Sequence, residues 1–275
     1  DGSIVCFRPD LNAERMYNSA KRIQMPSVPK ELFLKAITEV VKANAEWVPP
    51  YGSGAALYLR PYEFATSAVL GVASAKEFQF RVFATPVGAY FKGGAKPVAL
   101  RVSDFDRAAP HVTGNVKAGL NYAMSLYATT LAHEEGYAEN LYLDPATRTY
   151  IEETGGTNVL FVNKEGTLVV PKSNSILPSI TRRSIVYIAE NYLHIKVDER
   201  KVAFDEIKDF EECALCGTAA VISPVGKIDY DSDKSIVFPS GMEKSGKTFA
   251  KLRETMVDIQ TGKIEAPEGW IYKIK

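Results

Sequence analysis

Strand-type and helix-type runs are interleaved irregularly along these 275 residues, and that pattern limits the folds open to the chain. Residues 12–24 place Met16, Ala20 and Ile23 at i, i+4 and i+7, which predicts a helix. Pro26 and Pro29 break it, and Pro29 opens a second helix with Leu32, Ala36, Ile37 and Val40 on one face. GSGAALYLRPYEFA and FQFRVFATPV, rich in aromatic and β-branched residues, predict strands. Beyond them come a short strand at 98–102, a helix over 122–134, strands at NLYLD and TYIEET, and a hairpin at NVLFV-NKEG-TLVVP. A helix over 181–191, strands at HIKVDERKV and CGTAAVISPVGKI, and a last helix over 247–259 complete the reading. The regular βαβα rhythm of a doubly wound sheet is missing. The fold class is therefore mixed, α+β or irregular α/β, in two parts.

The break between the parts falls within GAYFKGGAK, where glycines interrupt every period. The expected organisation is a first domain over 1–90, a linker at 91–96 and a second domain over 97–275. Hydrophobic residues are 46% and charged residues 24%, so a globular chain with a sizeable core is expected. Lys+Arg and Asp+Glu balance at 33 each, which leaves no field to hold a nucleic acid. No apolar run reaches the ~18 residues of a membrane span. Three cysteines are too few for a disulfide scaffold, so a cytoplasmic, reducing setting is expected.

Two motifs invite false readings. Gly241-Met-Glu-Lys-Ser-Gly246-Lys247-Thr248 matches the phosphate-loop pattern G-x-x-x-x-G-K-[ST]. Such a loop needs downstream strands and a magnesium-holding acid, and too little chain follows Thr248 to supply them. A glycine-rich entry to the last helix is the better reading, so nucleotide binding is not expected. Cys213-Ala-Leu-Cys216 is a single C-x-x-C, and the three histidines show no ligand spacing. Buried thiols and no metal are expected.

Three further signals share one logic. Lys117, between Gly114 and Gly119 and just ahead of a helix, is ordinarily a solvated loop lysine. In a low-polarity pocket its neutral amine would form a Schiff base with an aldehyde. Glu152 and Glu153 lie in a β-rich run, where neighbours face opposite ways, so one should point inward and need a cationic partner. Leu177-Pro-Ser-Ile-Thr181 runs into a helix start, a ready phosphate site. A lysine, an inward acid and an anion-holding helix start are together the parts list for pyridoxal phosphate: aldehyde, ring nitrogen, phosphate.

These residues also carry a resemblance. FRPDLNAERMYNSAKRIQMP, LYLRP, PVGAYF, GNVKAGLNYA, IEETGGTN, ILPSITRRS, CGTAAVISPVGKI and APEGWIYKI, in this order, resemble the branched-chain aminotransferases nearly end to end. These are fold type IV enzymes dependent on pyridoxal 5'-phosphate. The resemblance implies that Lys117 bonds the cofactor and that Tyr122 meets its phenolate oxygen. It implies that Glu153, five before Asn158, faces the ring nitrogen, and that Leu177 lies against the ring. Arg8, Ile180, Thr181 and Thr218 would hold the phosphate. Thr218, Ala219 and Ala220 would offer backbone groups to the substrate carboxylate, and Tyr58, Arg60 and Tyr90 would line the side-chain pocket.

On this reading the chain moves the amino group of leucine, isoleucine or valine to 2-oxoglutarate, giving the branched 2-oxo acids and glutamate, as a homodimer. A D-amino-acid transaminase or an aminodeoxychorismate lyase would share Lys117 and Glu153 but not the LYLRP and GTA set; a non-catalytic fragment is the remaining alternative. The redox Cys-x-x-Cys of the vertebrate enzymes is replaced here by Ala220 and Ser223, which implies a bacterial type. Family members also carry a segment ahead of the FRP motif, with strands of the small domain and a pocket tyrosine. The small domain is accordingly expected to be incomplete, with exposed strand edges, poor solubility, and cofactor binding better kept than turnover.

Overall fold

In the computed structural model, residues 2–88 and 96–274 are described. The chain divides into one unit of Asp1–Tyr90 with Gln260–Lys275 and a second of Phe91–Ile259. Tyr90 and most of the expected linker lie outside the described residues.

The first unit begins with a short strand, β1 (Val5–Phe7), and a helix, α1 (Pro9–Arg22). Pro9 sits where a missing amide costs nothing, and Lys21 and Arg22 oppose the dipole at the other end. α2 (Lys30–Ala43) follows Pro29 and buries Phe33, Ile37 and Val41, one stripe at i, i+4 and i+8. β2 (Ala56–Ala65) and β3 (Phe78–Val87) pair antiparallel along their full length. Leu59, Phe80 and Val82 from this hairpin pack on Ala13, Val28, Phe33 and Ile37.

In the second unit, β4 (Val98–Val102), α3 (Gly119–Glu134), β5 (Glu139–Leu143), β6 (Ile151–Thr154), β7 (Asn158–Asn163) and β8 (Leu168–Pro171) come first. They are followed by α4 (Ile180–Asn191), β9 (Val197–Arg200), β10 (Phe210–Gly217), β11 (Val221–Tyr230), β12 (Lys234–Val237) and α5 (Lys247–Gln260). One nine-stranded sheet runs β6-β5-β4-β11-β10-β7-β8-β9, with β12 joined to β11. The β4–β5, β4–β11 and β8–β9 joins are parallel and the others antiparallel. Consecutive residues Leu141, Tyr142 and Leu143, and likewise Leu160, Phe161 and Val162, are buried. Both faces of the sheet's middle are therefore covered, as in α/β proteins.

The structure departs from the sequence reading at the end of the chain. The last strand, β13 (Ile271–Lys273), pairs antiparallel with β1, Val5 opposite Lys273, and so belongs with the first unit rather than with a domain running to 275. Strands of three residues have too little alternation to reveal a partner. Among the described residues no helix is long and apolar enough to cross a membrane.

Candidate active site

Lys117 lies in the turn ahead of α3, and the buried Asn121 explains why that turn holds its shape. Asn121 Nδ2 donates to the carbonyls of Thr113 (2.7 Å) and Val116 (2.8 Å), and its Oδ1 accepts from Thr113 Oγ1 (2.9 Å). Tyr122 follows one residue later, in the first turn of α3. Lys117 Nζ donates to Tyr122 Oη at 2.7 Å, with the lysine exposed. Nothing in the sequence reading singled out Asn121; only its inward position on α3 could have done so.

The two adjacent glutamates do not divide into one inward and one outward. Glu152 and Glu153 are 2% and 4% exposed, because β6 has protein on both sides. Glu152 accepts from Ser173 Oγ at 3.1 Å and from Ser175 Oγ. Glu153 has the cationic partner that a buried carboxylate requires. Arg107 Nη2 stands 2.8 Å from its Oε1, both side chains buried. Leu177 N donates to the same oxygen at 2.9 Å, and Asn158 Nδ2 donates to Oε2. Burial outweighs these partners and lifts the Glu153 carboxyl to about 7, with Arg107 chief among the groups pulling it down. Arg107 was not anticipated from sequence, since a lone arginine in a loop carries no motif.

Leu177 leads into α4, where Ser179 caps the helix by accepting from Arg182 N at 3.2 Å. Ile180 and Thr181, both buried, supply the first amides of α4, which have no intrahelical carbonyl to bond. Thr218, Ala219 and Ala220 form the turn between β10 and β11, with Thr218 and Ala219 exposed. Cys216 beside that turn pairs in register with Asn158. The second unit thus carries Lys117, Tyr122, Glu153, Leu177, Ile180, Thr181 and the Thr218–Ala220 turn. Their donor set suits pyridoxal phosphate: an amine, a phenol, a buried carboxylate with an acceptor site left on Oε2, and free helix-start amides.

In the first unit Arg8 adopts a left-handed φ of 47° at the start of α1. Its guanidinium lies 4.3 Å from the Trp270 ring centroid, and its amide donates to Trp270 O at 2.8 Å. Tyr58 and Arg60, two apart on β2, share a face, with Arg60 Nη2 donating to Tyr58 Oη at 3.1 Å.

The two doubtful motifs resolve on geometry. The amides of Thr248 and Phe249, which a phosphate loop would aim at its ligand, donate to Glu212 at 2.9 and 3.0 Å. A Cβ at Gly246 would strike that same carboxylate. The anion at this helix start is a side chain of the protein itself. Titration with ATP is expected to leave the melting temperature unchanged, while Glu212→Ala lowers stability by about 1 kcal/mol through loss of the cap; a nucleotide-dependent rise in Tm would contradict this. Cys213 and Cys216 are buried free thiols, and burial pushes Cys216 up to about 12.

Comparison with known proteins identifies the family. The profile of the family described as amino-transferase class IV matches residues 1–228. The chain belongs to the class IV aminotransferases. Among curated members, the branched-chain-amino-acid aminotransferase of Haemophilus influenzae is 50% identical over 100% of this chain and 81% of its own length. The Helicobacter pylori protein of the same name is 46% identical over 99% of this chain and 79% of its own. A solved structure, the branched-chain amino acid aminotransferase of Thermobaculum terrenum in its PLP-bound holo-form, superposes with a TM-score of 0.83. It is 26% identical, covering 99% of this chain and 84% of that one.

Proposed function

We propose that this chain is a branched-chain-amino-acid aminotransferase using pyridoxal 5'-phosphate. The observation that carries the chemistry is the 2.7 Å pairing of Lys117 Nζ with Tyr122 Oη, in the unit that also holds buried Glu153. The substrate class rests on the relatives, which share 40–50% identity across the chain and the name. When bound, pyridoxal phosphate supplies an aldehyde that exchanges amino groups and a ring that accepts electrons. Lys117 would hold the cofactor through its amine and, as a free amine, would take the proton from the substrate Cα. Tyr122 orients the amine and meets the phenolate oxygen. Glu153 accepts the ring N–H through Oε2 and keeps the nitrogen protonated.

Leu177 bounds the ring, and Ile180, Thr181 and Thr218 bind the phosphate; the resemblance of its FRP motif assigns Arg8 to the same group. The backbone of Thr218, Ala219 and Ala220 binds the substrate carboxylate. The resemblance assigns the substrate side chain to Tyr58 and Arg60 on β2, and to Tyr90, which lies outside the described residues. Arg60 serves glutamate and 2-oxoglutarate as amino-group partner, while the Tyr58 ring suits a branched chain. An assay of L-leucine with 2-oxoglutarate is expected to form glutamate, with D-alanine inactive. Activity on D-alanine alone would favour a D-amino-acid transaminase instead.

The working form is a homodimer in the cytoplasm. Leu120, Met124 and Tyr127 lie at i, i+4 and i+7 on α3 and are 48%, 67% and 65% exposed. An apolar stripe of this kind favours association, and a second copy is the occupant assigned here. Met124→Glu is expected to shift the mass in light scattering from dimer to monomer. A variant that stays dimeric would remove α3 from the interface.

A further inference from the structure

Arg107 belongs to no motif and takes no part in the proton transfers, yet its side chain is 4% exposed. Burying a guanidinium costs several kcal/mol unless its surroundings repay it. Its Nη2 atom faces three acceptors drawn from three separate segments. These are Glu153 Oε1 on β6 at 2.8 Å, the carbonyl of Gly114 in the Lys117 turn at 3.3 Å, and the carbonyl of Ser175 ahead of α4. One Nη carries two hydrogens, so the three segments share a single anchoring atom. Gly114 permits the arrangement. A Cβ there would stand 2.5 Å from Ser175 Cα and 2.6 Å from its carbonyl oxygen, so the two loops meet backbone to backbone.

The donors on Glu153 are distributed unevenly. Oε1 takes both Arg107 and the Leu177 amide, whereas Oε2 takes Asn158. A carboxylate offers about four acceptor sites, two on each oxygen. Oε1 is filled and Oε2 retains one. We propose that Arg107 is a positioning residue for the cofactor: it fills Oε1, leaving Oε2 for the ring N–H, and ties the Lys117 turn to that carboxylate. The inference rests on reading Glu153 as the partner of the ring nitrogen. Arginine suits the task because its planar fork meets several acceptors at once, where a lysine presents a point charge.

The test compares binding of pyridoxal phosphate with that of its 1-deaza analogue, which has carbon in place of the ring nitrogen. Titrations use the whole chain as wild type, Arg107→Met, Arg107→Lys and Glu153→Gln. Arg107→Met is expected to weaken pyridoxal phosphate by about 10- to 100-fold, the worth of a charged hydrogen bond, with the analogue far less affected. Arg107→Lys is expected to fall between the two, and it decides the matter if the methionine variant does not fold. Equal losses for both ligands, or a lysine variant with the wild-type ratio, would overturn the positioning role. If wild type and Glu153→Gln discriminate the ligands equally, the assignment of Glu153 itself fails and takes this inference with it. A Glu153→Gln effect without an Arg107 effect overturns this inference alone.

Discussion

Lys117→Ala is expected to lower turnover by on the order of 10²–10⁴-fold, because the group that moves the proton at Cα is removed. Pyridoxal phosphate should still bind, since Glu153, Tyr122 and the α4 start are untouched, but without the absorption band of a lysine-linked aldehyde. Tyr122→Phe is a milder change. It removes the 2.7 Å bond to Lys117 Nζ and leaves the amine in place, so the band should persist while turnover falls less. The distinguishing measurement is an absorption spectrum of each variant with added cofactor. A band that survives in Lys117→Ala would place the link on another lysine.

Much of this site was legible in the sequence because its elements announce themselves by period. The Asn12 helix, the two long strands and the α4 start fall within a few residues of where apolar spacing and prolines put them. The α3 start differs more in meaning than in distance. It begins at Gly119 rather than at Tyr122, which brings Tyr122 into the first turn and within reach of Lys117. What stayed hidden depends on tertiary neighbours. Strand alternation implies that one of Glu152 and Glu153 faces solvent, but β6 is covered on both faces, so each carboxylate is buried with its own donors. Arg107 acts across the fold, on segments that sequence spacing does not join, whereas Asn121 holds the turn just ahead of it through bonds that no motif marks. The final strand escaped for a different reason: its only sign of membership is pairing with β1, at the far end of the chain.

Glu153→Gln is expected to remove a pH dependence from the stability of the cofactor-free protein while reducing catalysis. The carboxyl stands at about 7 in the folded chain against an ordinary value of 4.5, with burial as the largest cause. Below about pH 4.5 the residue is protonated whether folded or unfolded, and it carries no ionisation penalty. As pH rises from there to about 7, the unfolded chain gives up the proton first, so folding is progressively disfavoured. The accumulated penalty is on the order of 3 kcal/mol, and above about 7 it stays constant. A glutamine lacks this dependence, so in urea melts the stability of wild type relative to the variant should fall as pH rises from 4.5 to 7. Glutamine also leaves the Arg107 guanidinium buried without its counter-ion, a cost present at every pH that leaves this slope unchanged. Catalysis falls as well. A ring nitrogen facing a neutral amide loses the charge that holds its proton, and removing one such electrostatic partner costs on the order of 10²–10³ in turnover. The carboxylate is thus ionised against the preference of the fold at the residue whose charge the chemistry needs, the trade expected of a functional group. Parallel stability curves for the two proteins across this pH range would show that Glu153 ionises without penalty, and the argument would fail there.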